Sequence, residues 1–161
     1  MRSDARIKLL GREDVLAAVV RWRAAGEAIV FTNGVFDILH TGHLLSFEEA
    51  ASFGDRLVVG VNSDASARSL GKGPGRPYNR DFDRATLIAG LNCVDAVSIF
   101  DEPTPRALIE AIRPDVLVKG ADWPEERIEG REFAGRVERI VLKEGYSTTS
   151  LVEKIRASGK E

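Results

Sequence analysis

Sulfur and imidazole are scarce in this 161-residue chain, which has one Cys, one Met and two His. A single cysteine, Cys93, excludes an intrachain disulfide, and its setting in Leu91-Asn92-Cys93-Val94 reads as a small buried hydrophobe, not a nucleophile. Long apolar runs are missing as well: no stretch reaches the roughly 18 residues of a membrane span. Arg2, Asp4, Arg6 and Lys8 are followed by no hydrophobic segment, so a signal peptide is not expected either. Nor does charge of one sign dominate: 23 Lys and Arg face 25 Asp and Glu, a formal net charge of -2, without the basic surplus of a general nucleic-acid binder. Any polyanion site must therefore be local. The G-x-x-x-x-G-K-[ST] phosphate loop is absent, which removes the usual kinase and ATPase reading, and so is the G-x-G-x-x-G dinucleotide fingerprint. A reduced, cytoplasmic protein with neither nucleic acid nor membrane as partner is expected.

What is present is a regular alternation. At 43% hydrophobic, the chain suffices for one well-buried core and is read as a single domain over 1–161. Short apolar runs at 28–31, 57–61, 94–99, 116–118 and 137–142 have strand length and suit strands buried on both faces. Between them, helical spacing recurs. Val15, Leu16, Val19, Val20 and Trp22 form one stripe, Leu44, Phe47 and Ala51 a second, and Leu108, Ile109 and Ile112 a third. Further helices are predicted over 81–91 and 149–156; Thr104-Pro105 reads as a cap and first helical position, and Ser147, Thr148 or Ser150 could open the last helix. Alternating strands and helices predict an α/β fold, a Rossmann-like open parallel five-stranded sheet with helices on both faces. Ligands of such sheets sit beyond the carboxyl ends of the strands, at a topological switch point.

Four of the loops at those ends carry chemistry. After the first strand, Asn33-Gly34-Val35-Phe36 offers backbone N–H groups to an anion, and His40 and His43 flank Gly42 where a helix begins. Two histidines three apart can share zinc, but no third His, Cys or carboxylate cluster completes a tetrahedral site. Solvated cap histidines are the plain alternative. From Leu70 to Asp81, Gly71, Gly73, Pro74, Gly75 and Pro77 forbid helix and central strand. That loop and its flanks hold Arg68, Lys72, Arg76, Arg80 and Arg84, suited to closing over a triphosphate; a solvated loop balanced by Asp81 and Asp83 is the alternative. Lys119-Gly120-Ala121-Asp122-Trp123 follows the fourth strand, and Trp123 reads equally as core lid or nucleobase platform. Gly145-Tyr146-Ser147-Thr148-Thr149-Ser150 sets four hydroxyls at the mouth of the last helix, a second anion site. The residues thus point to a nucleoside triphosphate and a phosphorylated second substrate.

Gly34-Val35-Phe36-Asp37-Ile38-Leu39-His40-Thr41-Gly42-His43 resembles the G-x-F-D-x-x-H-x-G-H signature of the nucleotidyltransferase superfamily. Gly145-Tyr146-Ser147-Thr148-Thr149 is similar to the G-I-S-T-T signature of its cytidylyltransferase-like branch. Within that superfamily, 32–40, 61–66, 75–77, 117–122 and 147–149 look most like the adenylyltransferases of ADP-heptose synthesis. The resemblance implies ATP and a sugar 1-phosphate, D-glycero-β-D-manno-heptose 1-phosphate, as substrates, with ADP-heptose for lipopolysaccharide core and pyrophosphate as products. It implies that His40, His43, Lys72 and Arg84 are catalytic. Asn33, Gly34, Val35, Phe36, Gly42, Lys119, Asp122, Ser147 and Thr148 would bind the nucleotide, and Asp37, Asp64 and Arg76 would bind or orient the substrate. Asp37 either orients the site or touches the metal, and orientation is the expected role. Mg²⁺ is the implied cofactor, held mainly by ATP phosphates, so no metal-ligating residue is assigned. A homodimer and a heptose kinase on a separate chain are the implied partners. Two alternatives remain: a glycerol-3-phosphate cytidylyltransferase, whose pattern has Thr where this chain has Val35 and Arg where it has Leu142, and a sensor without turnover.

Overall fold

A computed structural model describes residues 4–71, 73–141 and 145–159. Its five strands are β1 (Ile29–Gly34), β2 (Arg56–Asn62), β3 (Ala96–Phe100), β4 (Val116–Gly120) and β5 (Arg136–Ile140). The helices are α1 (Arg12–Ala24), α2 (Thr41–Ala51), α3 (Asp64–Ser69), α4 (Asp81–Ala89), α5 (Arg106–Ile112) and α6 (Thr148–Ser158). All strand pairs are parallel, in the order β3-β2-β1-β4-β5. The expected five-stranded Rossmann-like sheet is therefore present.

Strand alternation divides the core in two. Val30, Leu57, Val59, Val61, Val116 and Val118 face Phe47 and Ala50 of α2 and Ala85, Ile88 and Ala89 of α4. Ile29, Phe31, Val58 and Leu117 face the other way, onto Val15 and Val19 of α1 and Leu108, Ile109 and Ile112 of α5. With both faces covered, continuous apolar runs in β1, β2 and β4 are what the packing requires. No helix among the described residues is long and apolar enough to cross a membrane.

Several boundaries depart from those the hydrophobic pattern predicts. β1 continues through Thr32, Asn33 and Gly34 because the ladder with β2 reaches Val61, although those three residues are not apolar. β3 starts at Ala96, since the Val94 and Asp95 N–H groups donate to Leu91 and Leu57. β5 is earlier than the predicted 137–142, because its partner β4 ends at Gly120 opposite Ile140. Pro105, not Thr104, is the N-cap of α5. The three candidate openers of α6 reduce to Ser147, whose Oγ accepts from the Ser150 N–H at 3.0 Å. Helix α3 was not legible at all. It is six residues without an apolar stripe, started by Ser63, whose Oγ accepts from the Ser66 N–H.

Gly60 in β2 allows the Phe31 ring to lie against the backbone: a Cβ there would stand 2.8 Å from Phe31 Cζ. Gly60→Ala forces that fully buried ring to move and should cost about 1–3 kcal/mol. Urea denaturation checks this; an unchanged midpoint would mean that β1 and α5 yield to the methyl group freely.

Candidate active site

The site follows from how β1 and β4 part. Their ladder contains only Val30↔Val116 and Phe31↔Leu117. Beyond it, contact passes to side chains: Thr32 Oγ1 donates to the Val118 carbonyl at 3.1 Å, and Lys119 Nζ donates to Asn33 Oδ1. Since β1 leads onward to β2 on one side while β4 lies on the other, this is the topological switch point. A cleft of about 800 Å³ opens here. Asn33, Gly34, Val35, Phe36, Gly42, Lys119 and Asp122 all line it, as do His40, His43, Ser147 and Thr148.

The turn leaving β1 is built around Phe36, a non-glycine residue with φ of 49°. That left-handed conformation costs roughly 1–2 kcal/mol. It sets the ring across Gly34, where a Cβ would lie 2.9 Å from Phe36 Cζ, and edge-on to His43 at 5.3 Å. His40 is the N-cap of α2, and its carbonyl accepts from the N–H groups of His43 and Leu44. The N–H groups of Thr41 and Gly42 at the mouth of the helix are then left for an anion. The two imidazoles stack with centroids 3.8 Å apart and planes 18° apart. Both rings thus lie on one side of the helix mouth, as the spacing suggests.

Facing α2 is the mouth of α6. Gly42 makes the approach feasible, because a Cβ there would be 2.6 Å from Tyr146 Cβ and 3.0 Å from two His40 ring atoms. Of the four consecutive hydroxyls, two are used locally: Ser147 caps the helix, and Ser150 Oγ donates to the Ser147 carbonyl at 3.0 Å. Thr148 and Thr149 remain, lining the cleft. The histidine pair is therefore flanked by two helix N-termini.

Asp37, expected to orient the site, is buried. Its Oδ1 accepts from the N–H groups of Tyr78 and Asn79 at 2.7 and 3.1 Å, and its carbonyl accepts from Asn79 Nδ2 at 2.7 Å, so it latches the Gly/Pro-rich loop to the cleft wall. Its Oδ2 is buried with no hydrogen-bond partner among the described residues. Arg76 is half-buried on the same loop, lines the cleft and lies over the Tyr78 ring. Lys72 lies outside the described residues.

Arg84 and Asp64 are where the structure corrects the sequence reading. Arg84, expected to neutralise phosphate charge, has a side chain that is 0% exposed and lies beneath the cleft, not in it. Its guanidinium donates to the carbonyls of Asn79 (3.0 Å), Val35 (2.5 Å) and Asn62 (2.8 Å) and to Asp64 Oδ1 (2.9 Å). All three guanidinium nitrogens donate within the protein, and the side chain does not line the cleft. Asp64 is likewise absent from the cleft lining: its carboxylate accepts from Arg84 and from the Asp81 N–H at 2.9 Å, and its own N–H donates to the Asp81 carboxylate at 2.9 Å. Conversely, the cleft includes Tyr146, Thr104 and Pro105, which the sequence marks only as motif neighbour and helix start, and the segment Arg127-Ile128-Glu129, which carries no motif or periodicity that could have pointed to it.

Burial sets the electrostatics. It lowers the His40 pKa below the ordinary imidazole value of 6.5. Burial also brings the Lys119 amine down to about 8. Both groups gain from an anion that stabilises their protonated forms.

A family described as cytidylyltransferase-like matches residues 31–154. The bifunctional protein HldE of Geotalea uraniireducens is 52% identical over 159 residues, 96% of this chain and 32% of that protein. HldE of Pseudomonas aeruginosa PAO1 is 51% identical over 155 residues, 94% of this chain and 32% of that protein. The chain thus spans about a third of the length of these curated relatives. Among solved structures, the lipopolysaccharide core biosynthesis protein from Thermoplasma volcanium aligns with a TM-score of 0.64 at 30% identity, covering 74% of this chain and all of that one.

Replacing Arg84 by Met strands Asp64 and three carbonyls and should destabilise the fold by about 3–5 kcal/mol, read from urea denaturation. His40 has the opposite pH signature to a salt-bridged histidine. Its folded pKa is depressed, so below 6.5 the unfolded chain binds the proton first and stability falls. His40→Asn should flatten that decline in thermal melts taken on both sides of this pH.

Proposed function

Because this chain belongs to the cytidylyltransferase-like family, we propose that it catalyses adenylyl transfer from ATP to D-glycero-β-D-manno-heptose 1-phosphate, releasing pyrophosphate and ADP-heptose. The observation that carries this reading is the pair of helix mouths facing each other across the stacked histidines, which is an arrangement for a polyphosphate. The identity to HldE proteins and the likeness to a lipopolysaccharide core biosynthesis protein support a heptose acceptor.

In this mechanism the phosphate oxygen of the sugar 1-phosphate attacks the α-phosphorus of ATP in line. The bond to the bridging oxygen breaks and pyrophosphate departs. No covalent enzyme intermediate is required, so the protein's work is positioning and charge neutralisation. His40 and His43 hydrogen-bond the α- and β-phosphates, and backbone N–H groups from Gly34 to Phe36 and at Gly42 hold the α-phosphate. Thr148, with the Ser147 cap, receives the β/γ end. Asn33 and Asp122 contact the nucleotide, and Lys119 adds a cation at the junction of β1 and β4. Arg76 and Lys72 belong to the loop that covers the phosphates. Arg84 and Asp64 act through the backbone they hold, which makes them positioning residues.

Mg²⁺ fits this site in a limited way. Among the described residues, Asp37 Oδ2 is a buried oxygen without a partner, and no group of three His, Cys, Asp or Glu side chains could cage a metal. One carboxylate oxygen with phosphate and water oxygens matches the octahedral habit of the ion. When bound, it neutralises phosphate charge as pyrophosphate leaves. A homodimer and a companion heptose kinase belong to the same proposal.

Pyrophosphate release, measured with ATP and with CTP, each against heptose 1-phosphate and glycerol 3-phosphate, tests the assignment. Release with ATP and heptose 1-phosphate alone is expected; release with none of the four pairs would overturn it. His43→Ala should lower kcat by roughly a hundred- to a thousandfold while leaving ATP binding nearly intact. Wild-type kcat in that variant would remove the histidine from the mechanism. Above pH of about 8 the free enzyme loses the Lys119 proton, so kcat/KM for ATP should fall there, and an anion that holds the proton should shift the fall to higher pH.

A further inference from the structure

Strand alternation divides the cleft into two sides. Phe31 and Leu117 point to the α1/α5 face, so Asn33 and Lys119, two residues further on, share that face, whereas α2 and α4 pack on the other. The histidines and helix α2 thus serve one side of the switch point. The other side has its own wall, made by Thr104 and Pro105 at the start of α5 and by the β4–β5 connection.

That connection is held firmly at one point. Ile128 is 4% exposed and packs into the core with Leu108, Ile109 and Ile112. Gly130 follows with φ of +80°, and a Cβ there would come within 2.9 Å of Ile109, so the backbone lies directly on α5. Ile128 itself is extended, with φ of -76° and ψ of 109°, which turns its two neighbours away from the core. Those neighbours are Arg127 and Glu129. Both are exposed, both line the cleft, and neither side chain makes an ion pair or side-chain hydrogen bond among the described residues. Further along the same segment, Glu132 is occupied by Arg106. A cation and a carboxylate set side by side on a rigid strip, with no structural partner, have no role in the fold.

We infer that Arg127 and Glu129 are the specificity-determining residues for the acceptor, binding the ring and side-chain hydroxyls of a polyhydroxylated sugar 1-phosphate; this rests on the adenylyltransferase reading above. A carboxylate accepts from two neighbouring hydroxyls at once, and a guanidinium donates to hydroxyl oxygens in a fixed fork. Lys119, on the same face nearer the strand ends, stands between this wall and the phosphates held at the α2 mouth. Half-exposed Trp123, on the same connection, offers an apolar face to the sugar ring.

Steady-state kinetics of the wild type, Arg127→Ala, Glu129→Ala and Glu129→Gln, with ATP and heptose 1-phosphate varied in turn, tests this. Each Ala variant should raise KM for heptose 1-phosphate about tenfold or more while KM for ATP and kcat at saturating acceptor stay within about twofold, the pattern of lost acceptor binding. Glu129→Gln, which keeps one oxygen acceptor, should recover part of the loss. Melting temperatures should not move, since both side chains are exposed. An unchanged acceptor KM, or an equal rise in both KM values, overturns the inference while the adenylyltransferase reading stands. An inactive wild type overturns that reading and this inference with it.

Discussion

One guanidinium holds the working end of this sheet together. Arg84, rooted in α4 on the far side of the Gly/Pro-rich loop, reaches beneath the cleft and binds the turn after β1 through Val35, the end of β2 through Asn62, the loop through Asn79, and the start of α3 through Asp64. Four segments distant in sequence thereby share one charge. A buried cation is tolerable only when its charge is compensated, and here all three guanidinium nitrogens donate to carbonyls or to Asp64. The Phe36 turn, strained at φ of 49°, is held in place by the same contact at Val35.

From that anchor the cleft assembles in layers. Asp37 latches the loop, Phe36 supports His43 from below, and His40 caps the helix whose N-terminus meets the anion. Gly42 lets the α6 mouth close in from the other side. The outcome is a concavity lined by Arg76, Lys119 and Arg127, to which the backbone N–H groups of two helix mouths add positive character. A net charge of -2 is consistent with this, because helix dipoles and fixed N–H groups add nothing to the formal count. His40, with its pKa lowered by burial, would take up charge when an anion arrives, whereas Lys119, at about 8, is already largely protonated at neutral pH.

The glycine-rich motifs of other nucleotide-binding folds place several N–H groups around phosphate by one tight loop. Here the same task is divided between two helices a hundred residues apart in sequence, α2 and α6. Dividing it leaves room between them for a second reactant, which a single enclosing loop would not. Arg127 and Glu129 lie on the sheet face opposite to α2, so in the proposed reaction donor and acceptor would approach the strand ends from different sides.

The sequence by itself determined the architecture: five apolar runs separated by helical stripes can bury both sheet faces only as a parallel α/β layer, and that pattern is local enough to read along the chain. It also placed His40, Gly42, His43 and Ser147 at helix mouths, because they stand next in sequence to the elements they begin. Tertiary structure alone decided the rest. Arg84 is a basic residue near a basic loop in the sequence, and only the meeting of four segments shows its charge consumed by carbonyls and Asp64. Helix α3 arises from a Ser63 cap and contacts with β2, not from any apolar period. Arg127 and Glu129 look like ordinary surface charges until Ile128 is seen to be drawn into the core between them. Local periodicity carries the burial pattern, whereas the pairing of charges depends on which distant segments the sheet brings together.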